Sequence, residues 1–317
     1  CTLEAAEAIC AGNEIAVEEV LDLLSGLVRH SLVQVEDDAE MARYGLLETV
    51  RQYAAERLVA SGEQTVLEQQ HTAYYLGLAE EAEPALTGAE QTLWLARLAR
   101  EHDNVRAVLR RALERGEQQA GLQVAGAVWR FWYVRGYVSE GRRWLEGLLE
   151  VVGGQALSAA RAKARTGAGG LALRQGDAAQ ARLHYEESLA LCRELGDTRG
   201  IAYALINLGN VAQEQGDHAR SRAHFEESLV LCRELGDTRG IAYALNNLGT
   251  MAQEQGDLAR ARVLLEESLV RCRELGDKQG IAYTLNNLGN VALMHDDSAQ
   301  ATALLEESLT LCRELGE

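Results

Sequence analysis

One pattern recurs every forty residues through the C-terminal half of the chain, and that period limits the possible folds more than any other feature. Gly196–Leu235 reads GDTRGIAYALINLGNVAQEQGDHARSRAHFEESLVLCREL, and the next forty residues are about three quarters identical to it. A third copy starts at Gly276, and a more divergent one precedes them over Ala159–Leu195. A unit of this size cannot bury its own apolar face, so self-similar units at a fixed period stack on one another into an array.

Each unit divides into two helices. In the second unit, helix A spans about Thr198–Gln215, with Ala204, Leu205, Leu208, Val211 and Ala212 on one face. Gly216-Asp217 breaks it, and helix B follows with Ala219, Ala223, Leu229 and Leu231. Gly196 suits the left-handed end of the preceding helix and Asp197 the cap of the next, a pairing repeated at Gly236-Asp237 and Gly276-Asp277. Small residues recur where paired helices must touch: Gly169, Gly209, Gly249 and Gly289 in the A helices, Ala181, Ser221, Ala261 and Ala301 in the B helices. Asp296 stands where the other copies have the turn glycine, so the sequence leaves the geometry of that last turn open.

Leu208-Gly209-Asn210, Gly216-Asp217, Ser221 and Phe225 fall at the spacing of the tetratricopeptide motif, and the units resemble the longer form of that repeat found in kinesin light chains and bacterial regulators. The resemblance implies an all-α fold, a right-handed superhelix (α-solenoid) whose A helices line a concave groove. Counting from the Leu-Gly pair, that groove carries Tyr203, Ile206, Asn207, Asn210, Gln213 and Glu214 in the second unit. Tyr243, Asn246, Asn247, Thr250, Gln253 and Glu254 follow, then Tyr283, Asn286, Asn287, Asn290, Leu293 and Met294. An amide both donates and accepts, so an asparagine ladder can hold an extended peptide by its backbone. The alternative is that some of these asparagines only bond within the array. Asparagine, threonine or isoleucine occupies the positions where chaperone-binding relatives clamp a terminal carboxylate with lysine or arginine. Glu214 and Glu254 favour a neutral or cationic segment instead.

Upstream, Gly121–Val152 reads as a degenerate unit, with Gly136 at the turn, Gly141 at the small position and Leu145 at the packing position. It carries Trp129, Phe131, Trp132, Tyr133, Tyr137 and Trp144 among Arg130, Arg135, Arg142 and Arg143. Aromatics interleaved with cations can stack nucleic-acid bases. The favoured reading is a bulky core with the arginines reaching outward.

The first residues have another pattern. Residues 2–10 and 16–29 read as amphipathic helices; Leu32–Glu36 and Tyr44–Leu47 alternate like a hairpin around the acidic Asp37-Asp38-Ala39-Glu40, and a helix follows over Glu48–Ala60. This is a winged-helix-like order with a short β-hairpin. LLSGLVRHSLVQVE followed by RYGLLETVRQYAAERL resembles the winged-helix domain after the nucleotide-binding core of NB-ARC/STAND-type signal-transduction ATPases, including LuxR/AfsR-like regulators. WLARLAREHDNVRAVLRRALERG and VWRFWYVRGYVSEGRRWLEGLLE resemble the helices that lead into the repeats of those proteins. The resemblance implies that the repeats act as the sensor and that an N-terminal NTPase domain is a partner. Leu46, Leu47 and Glu48 stand at the family's Met-His-Asp triplet; leucine cannot donate to phosphate, so no nucleotide contact is carried over and Leu47 is assigned to the core.

The expected organisation is a winged-helix-like domain at 1–62, linking helices at 63–118, a degenerate helix pair at 119–155 and four units at 156–195, 196–235, 236–275 and 276–317. A formal charge of −17 weighs against nucleic acid and membrane surfaces, and Cys1–Gln70 holds four arginines, no lysine and fourteen carboxylates. A transcriptional reading, with the winged helix on DNA and the repeats oligomerising, is the alternative. The sequence has no GxxxxGK[ST], HExxH, CxxC or GxSxG, so neither an enzyme nor a cofactor site is expected, and His102 beside Asp103 is read as structural. Cys192, Cys232, Cys272 and Cys312 recur once per repeat, too far apart to bridge, and read as small buried hydrophobes in a reduced, cytoplasmic setting. Cys1 and Cys10 are placed on one helix, unable to pair within it. A chain opening at Cys1 is expected to be part of a longer protein, and an array that stops without a polar closing helix leaves self-association through its last repeat open.

Overall fold

The computed structural model describes residues 1–12, 15–38, 41–151 and 157–315, which form two compact units. The first comprises Cys1–Leu78 with Asp103–Val108, the second Ala79–His102 with the chain from Leu109 onward.

In the first unit, α1 (Leu3–Cys10) and α2 (Val17–Arg29) precede an antiparallel hairpin, β1 (Val33–Asp38) and β2 (Met41–Leu46), and then α3 (Glu48–Ser61). Thr2 Oγ1 accepts from Ala5 N at 3.2 Å and starts α1, while Glu19 reaches back to Ala16 N at 3.0 Å at the start of α2. β2 begins earlier than the alternation suggested, because the acidic residues extend the ladder: Asp37 pairs with Ala42 and Asp38 with Met41. Ala39 and Glu40 of the expected acidic connection lie outside the described residues. Cys1 precedes α1 rather than sharing it, and its backbone exchanges two 2.8 Å hydrogen bonds with Tyr44. Leu47 was expected in the core and is instead 45% exposed. It is the N-cap of α3, where the chain leaves the strand, and α3 buries none of its residues. Glu48 is an ordinary first-turn acid: its carboxylate takes Arg51 at 2.7 Å and Gln52 at 3.0 Å.

Two long helices follow: α4 (Gln64–Ala85), whose residues through Leu78 belong to the first unit, and α5 (Gln91–Arg115), which belongs to the second apart from Asp103–Val108. The second unit continues with antiparallel pairs: α6 (Gln118–Val134) with α7 (Val138–Glu150), α8 (Ala159–Arg174) with α9 (Ala178–Leu195), and α10 (Thr198–Glu214) with α11 (His218–Leu235). α12 (Thr238–Glu254) pairs with α13 (Leu258–Leu275), and α14 (Lys278–Met294) with α15 (Ser298–Leu315). Val152 and its successors in the expected degenerate unit lie outside the described residues.

The repeating caps explain the repeating fold. Asp197, Asp237 and Asp277 each accept from the backbone N–H of the glycine three residues on, at 2.9, 3.2 and 2.9 Å. Gly216 and Gly256 take the turn between helices with φ of 75° and 78°. Asp296 adopts the same left-handed conformation, φ 59°, and its N–H reaches Leu293 O as that of Gly216 reaches Gln213 O. The last turn is therefore conserved in shape, since aspartate tolerates that region better than most residues.

Successive repeats share their cores. Phe225 and Leu229 of α11 cluster with Ile206 of α10 and with Leu245, Leu248 and Met251 of α12. The small positions work as expected: a Cβ built on Gly209 would overlap the Phe225 ring, and one on Gly249 would lie 2.7 Å from Leu265. Cys192, Cys232 and Cys272 are buried and unbridged, whereas Cys312, expected to be buried with them, is only half-buried. Each buried sulfur sits against Gly200, Gly240 or Gly280 of the following A helix, and burial pushes the Cys272 thiol up to about 12.

Candidate functional site

A cavity of about 330 Å³ touches five successive A helices, α6, α8, α10, α12 and α14, so this face of the array is concave. Every third or fourth residue of an A helix points into it, which fixes the phenol and amide lining. Of the expected groove residues, Tyr203, Asn207, Asn210, Tyr243, Asn246, Asn247 and Tyr283 border this space, together with Ile206 and Glu214. Gln213, Gln253, Asn286, Asn287 and Asn290 do not border it.

Some of the amides are used within the array. Asn287 Nδ2 donates to Asn246 Oδ1 at 3.1 Å and to Thr250 Oγ1 at 3.2 Å, and Gln213 Nε2 donates to Glu254 Oε1 at 2.8 Å. Gln253 Nε2 lies 3.5 Å from Met294 Sδ. These bonds tie neighbouring A helices together and engage Asn246, Asn287, Gln213 and Glu254 within the array, while Glu214 borders the cavity.

The degenerate unit contributes more than its sequence suggested. Phe131 and Trp132 are core, and Trp132 Nε1 donates to the buried His102 at 3.2 Å, which gives that histidine a structural role. Arg130, however, does not reach outward: it lines the cavity. It stands eighty residues before Asn210, on the same face of its A helix, so repeat register turns it inward. Burial disfavours its charge, and the nearby Tyr243, Asp277 and Tyr203 more than offset that cost, holding it cationic. Trp129, Tyr133, Arg174 and Tyr185 complete this end, with Arg174 stacked 4.5 Å over the Tyr133 ring. The forty-residue offset of Gly136 from Gly176 was the signal that could have found Arg130.

The elbow between α4 and α5 was not foreseen at all. Arg239 Nη2 donates to the Thr87 carbonyl at 2.8 Å, Lys163 Nζ meets Glu83 at 2.7 Å, and Ala89 lies against Gly276. A second cavity, of about 500 Å³, is bordered by Glu83, Pro84 and Thr87 of this elbow and by Lys163, Arg199, Tyr203 and Arg239. Among the described residues no cluster of histidine, cysteine and carboxylate could hold a metal ion, and no helix is long and apolar enough to cross a membrane.

Comparison with known proteins agrees with this architecture. Residues 160–234, 200–269 and 240–314 match the tetratricopeptide repeat family, and residues 1–59 match the winged helix-turn-helix domain. Three proteins named as HTH-type transcriptional regulators, from Mycobacterium bovis and two strains of Mycobacterium tuberculosis, are 35% identical over 210 residues, 64% of this chain and 24% of theirs. The chain thus spans about a quarter of the length of the curated relatives it matches. A signal transduction ATPase with numerous domains (STAND) from Pyrococcus horikoshii, with a tetratricopeptide repeat sensor, aligns with 99% of this chain and 48% of its own at a TM-score of 0.53 and 12% identity. The apo form of RapI aligns with 72% of this chain and 97% of its own, also at 0.53, with 10% identity. At such identities the likeness is one of fold. The chain is a winged helix-turn-helix domain followed by tetratricopeptide repeats.

Proposed function

We propose that the chain is the sensor module of a signal-transduction NTPase: the A-helix face binds a peptide or protein ligand, and the bound array biases a nucleotide-hydrolysing domain elsewhere in the parent protein. The observation that carries this reading is the single cavity shared by five A helices and lined by Tyr203, Asn207, Asn210, Tyr243, Asn246 and Asn247. Phenols supply rigid contact area at little entropic cost, and the amides of Asn207, Asn210 and Asn247 can pair with a peptide backbone whatever its side chains. No catalytic chemistry is assigned to the chain, and a cytoplasmic setting fits its free cysteines.

The winged helix supports the link to a further domain. Leu21, Leu23, Leu27, Leu46, Leu47 and Tyr53 are all exposed, apolar side chains that a partner could cover. Ligand binding can bias such a partner by no more than the difference in ligand affinity between its two states. A peptide array probed with wild type and with Asn207→Ala, Asn210→Ala and Asn247→Ala tests the groove. Binding that is weakened by each change supports it, and binding indifferent to all three rejects it.

A second reading rests on the winged helix-turn-helix match and on the names of the mycobacterial relatives. In it the first domain binds DNA and the repeats oligomerise, through the last unit or otherwise. Fourteen carboxylates against four arginines over Cys1–Gln70 oppose it. A salt-dependent mobility shift on mixed duplex DNA would favour this reading; none is expected.

A further inference from the structure

Two notches in the array have the same residues and different contents. Only at two steps does the chain place an arginine, a tyrosine and the following Gly-Asp together: Arg199, Tyr203, Gly236 and Asp237, and forty residues on Arg239, Tyr243, Gly276 and Asp277. The step before has Ala159 and Lys163 at the first two positions, and the step after has Gln279 at the first.

The later notch is filled by the α4–α5 elbow. Arg239 Nη2 donates to the Thr87 carbonyl at 2.8 Å, Tyr243 Oη donates to Asp277 Oδ2 at 2.7 Å, and Arg239 Nε stands back from that carboxylate at 3.8 Å. A Cβ on Gly276 would come within 3.0 Å of Ala89 Cβ, so the glycine admits the small residue of the elbow. The Asp277 side chain is fully buried and that of Arg239 is 21% exposed.

The earlier notch is open. Nothing lies within 4 Å of a Cβ built on Gly236, and the Arg199 side chain is 61% exposed. Arg199 Nε donates to Asp237 Oδ2 at 2.9 Å, taking the place that tyrosine holds in the filled notch. Tyr203 Oη is buried, does not reach Asp237 as Tyr243 reaches Asp277, and has only the Arg199 guanidinium close by. The 500 Å³ cavity lies directly in front of Arg199 and Tyr203. Identical residues therefore show two arrangements, one with an occupant and one without.

We propose that the open notch is a peptide-binding site for a tight turn of small residues that presents an unpaired main-chain carbonyl, the chemistry of Leu86–Ala89 in its twin. On binding, Arg199 leaves Asp237 and donates to the ligand carbonyl, Tyr203 Oη replaces it on Asp237, and a small side chain closes over Gly236. A main-chain carbonyl is specified because that is what Arg239 holds in the twin notch; the cavity itself is bordered by Arg130, Lys163, Arg199 and Arg239 as well as by Glu83 and Asp197. This deepens the sensor reading and rests on it, since it names which part of the A-helix face selects the ligand.

The test uses a synthetic peptide of the chain's own Pro84–Glu90 sequence, PALTGAE, with both ends blocked, titrated calorimetrically into the whole 317-residue chain. Saturable binding to wild type is expected, with Arg199→Ala weakening it about tenfold or more, as for loss of a charge-assisted hydrogen bond. Tyr203→Phe should weaken binding while shifting the melting temperature little, because in the free protein its hydroxyl has only the exposed Arg199 beside it; this variant serves if Arg199→Ala folds poorly. Arg233→Ala, exposed on α11, should bind as wild type. No binding to wild type, or equal binding by Arg199→Ala and Tyr203→Phe, overturns the proposal. If other peptides still bind and the Asn207 and Asn247 variants lose them, the sensor reading stands and only the notch falls.

Discussion

Ser228 Oγ donates to the Ala202 carbonyl at 2.9 Å, and the same bond recurs from Ser188 to Ala162, Ser268 to Ala242 and Ser308 to Ala282 at 3.0, 2.8 and 2.8 Å. Each links a buried B-helix serine to the A helix of its own unit. We predict that Ser228→Ala costs about 1 kcal/mol, a typical net hydrogen bond, and lowers the melting temperature by a few degrees. Thermal unfolding followed by circular dichroism checks this; an unchanged transition would show that the bond adds nothing.

Gly209 faces Phe225 so closely that a methyl group has no room. Gly209→Ala should destabilise the array by about 1–3 kcal/mol through overpacking. Phe225→Ala leaves a cavity that the new methyl partly fills, so the double variant should lose less than the two single losses combined. Additive losses in urea titrations would contradict the contact.

His184 is buried, and Arg165 Nη1 donates to its Nδ1 at 3.0 Å. Burial first, then the Arg165 charge, hold its pKa below the ordinary histidine value against the opposing pull of Glu146 and Glu187. The folded ring is therefore neutral where the unfolded one begins to protonate, near about pH 6.5. Its contribution is complete above that pH and is lost as pH falls toward the lowered folded value. The fall in melting temperature between about pH 7.5 and 5.5 should be smaller in His184→Gln than in wild type. An equal fall would remove His184 as a source of acid sensitivity.

Cys232 and Cys272 are buried thiols whose pKa burial raises. Thiolate is the reactive form, so both should resist Ellman's reagent in the native protein at about pH 8 and react on denaturation. Mass spectrometry of quenched, alkylated peptides reads this directly. Rapid native labelling of Cys272 would contradict its place in the core.

The forty-residue period was enough to predict helix limits, caps and close-packing glycines, because each depends on neighbours in sequence or one unit away. Asn207, Asn210 and Asn247 were legible as cavity residues for the same reason. Asn287 was not legible as a structural residue, since its bonds to Asn246 and Thr250 depend on how far consecutive A helices are rotated, which no motif states. Arg130 was misread because its unit has lost the repeat consensus and its aromatic neighbours resemble a core. The exposure of Leu47 contradicted a rule based on side-chain type alone. The elbow at Thr87 was invisible for a different reason: its contact with Arg239 spans 152 residues and has no counterpart in the repeat pattern.

The claim on which the function depends is that ligand is held on the A-helix face. A photo-reactive amino acid placed singly at Asn210, Asn247, Val230 or Val263, followed by irradiation with a synthetic random-peptide library, measures it directly. Val230 and Val263 are exposed on B helices, at 55% and 64%. Peptide adducts at Asn210 and Asn247, suppressed by unlabelled peptide and absent at the two valines, are the predicted result. Adducts confined to the valines, or equal at all four positions, would contradict it.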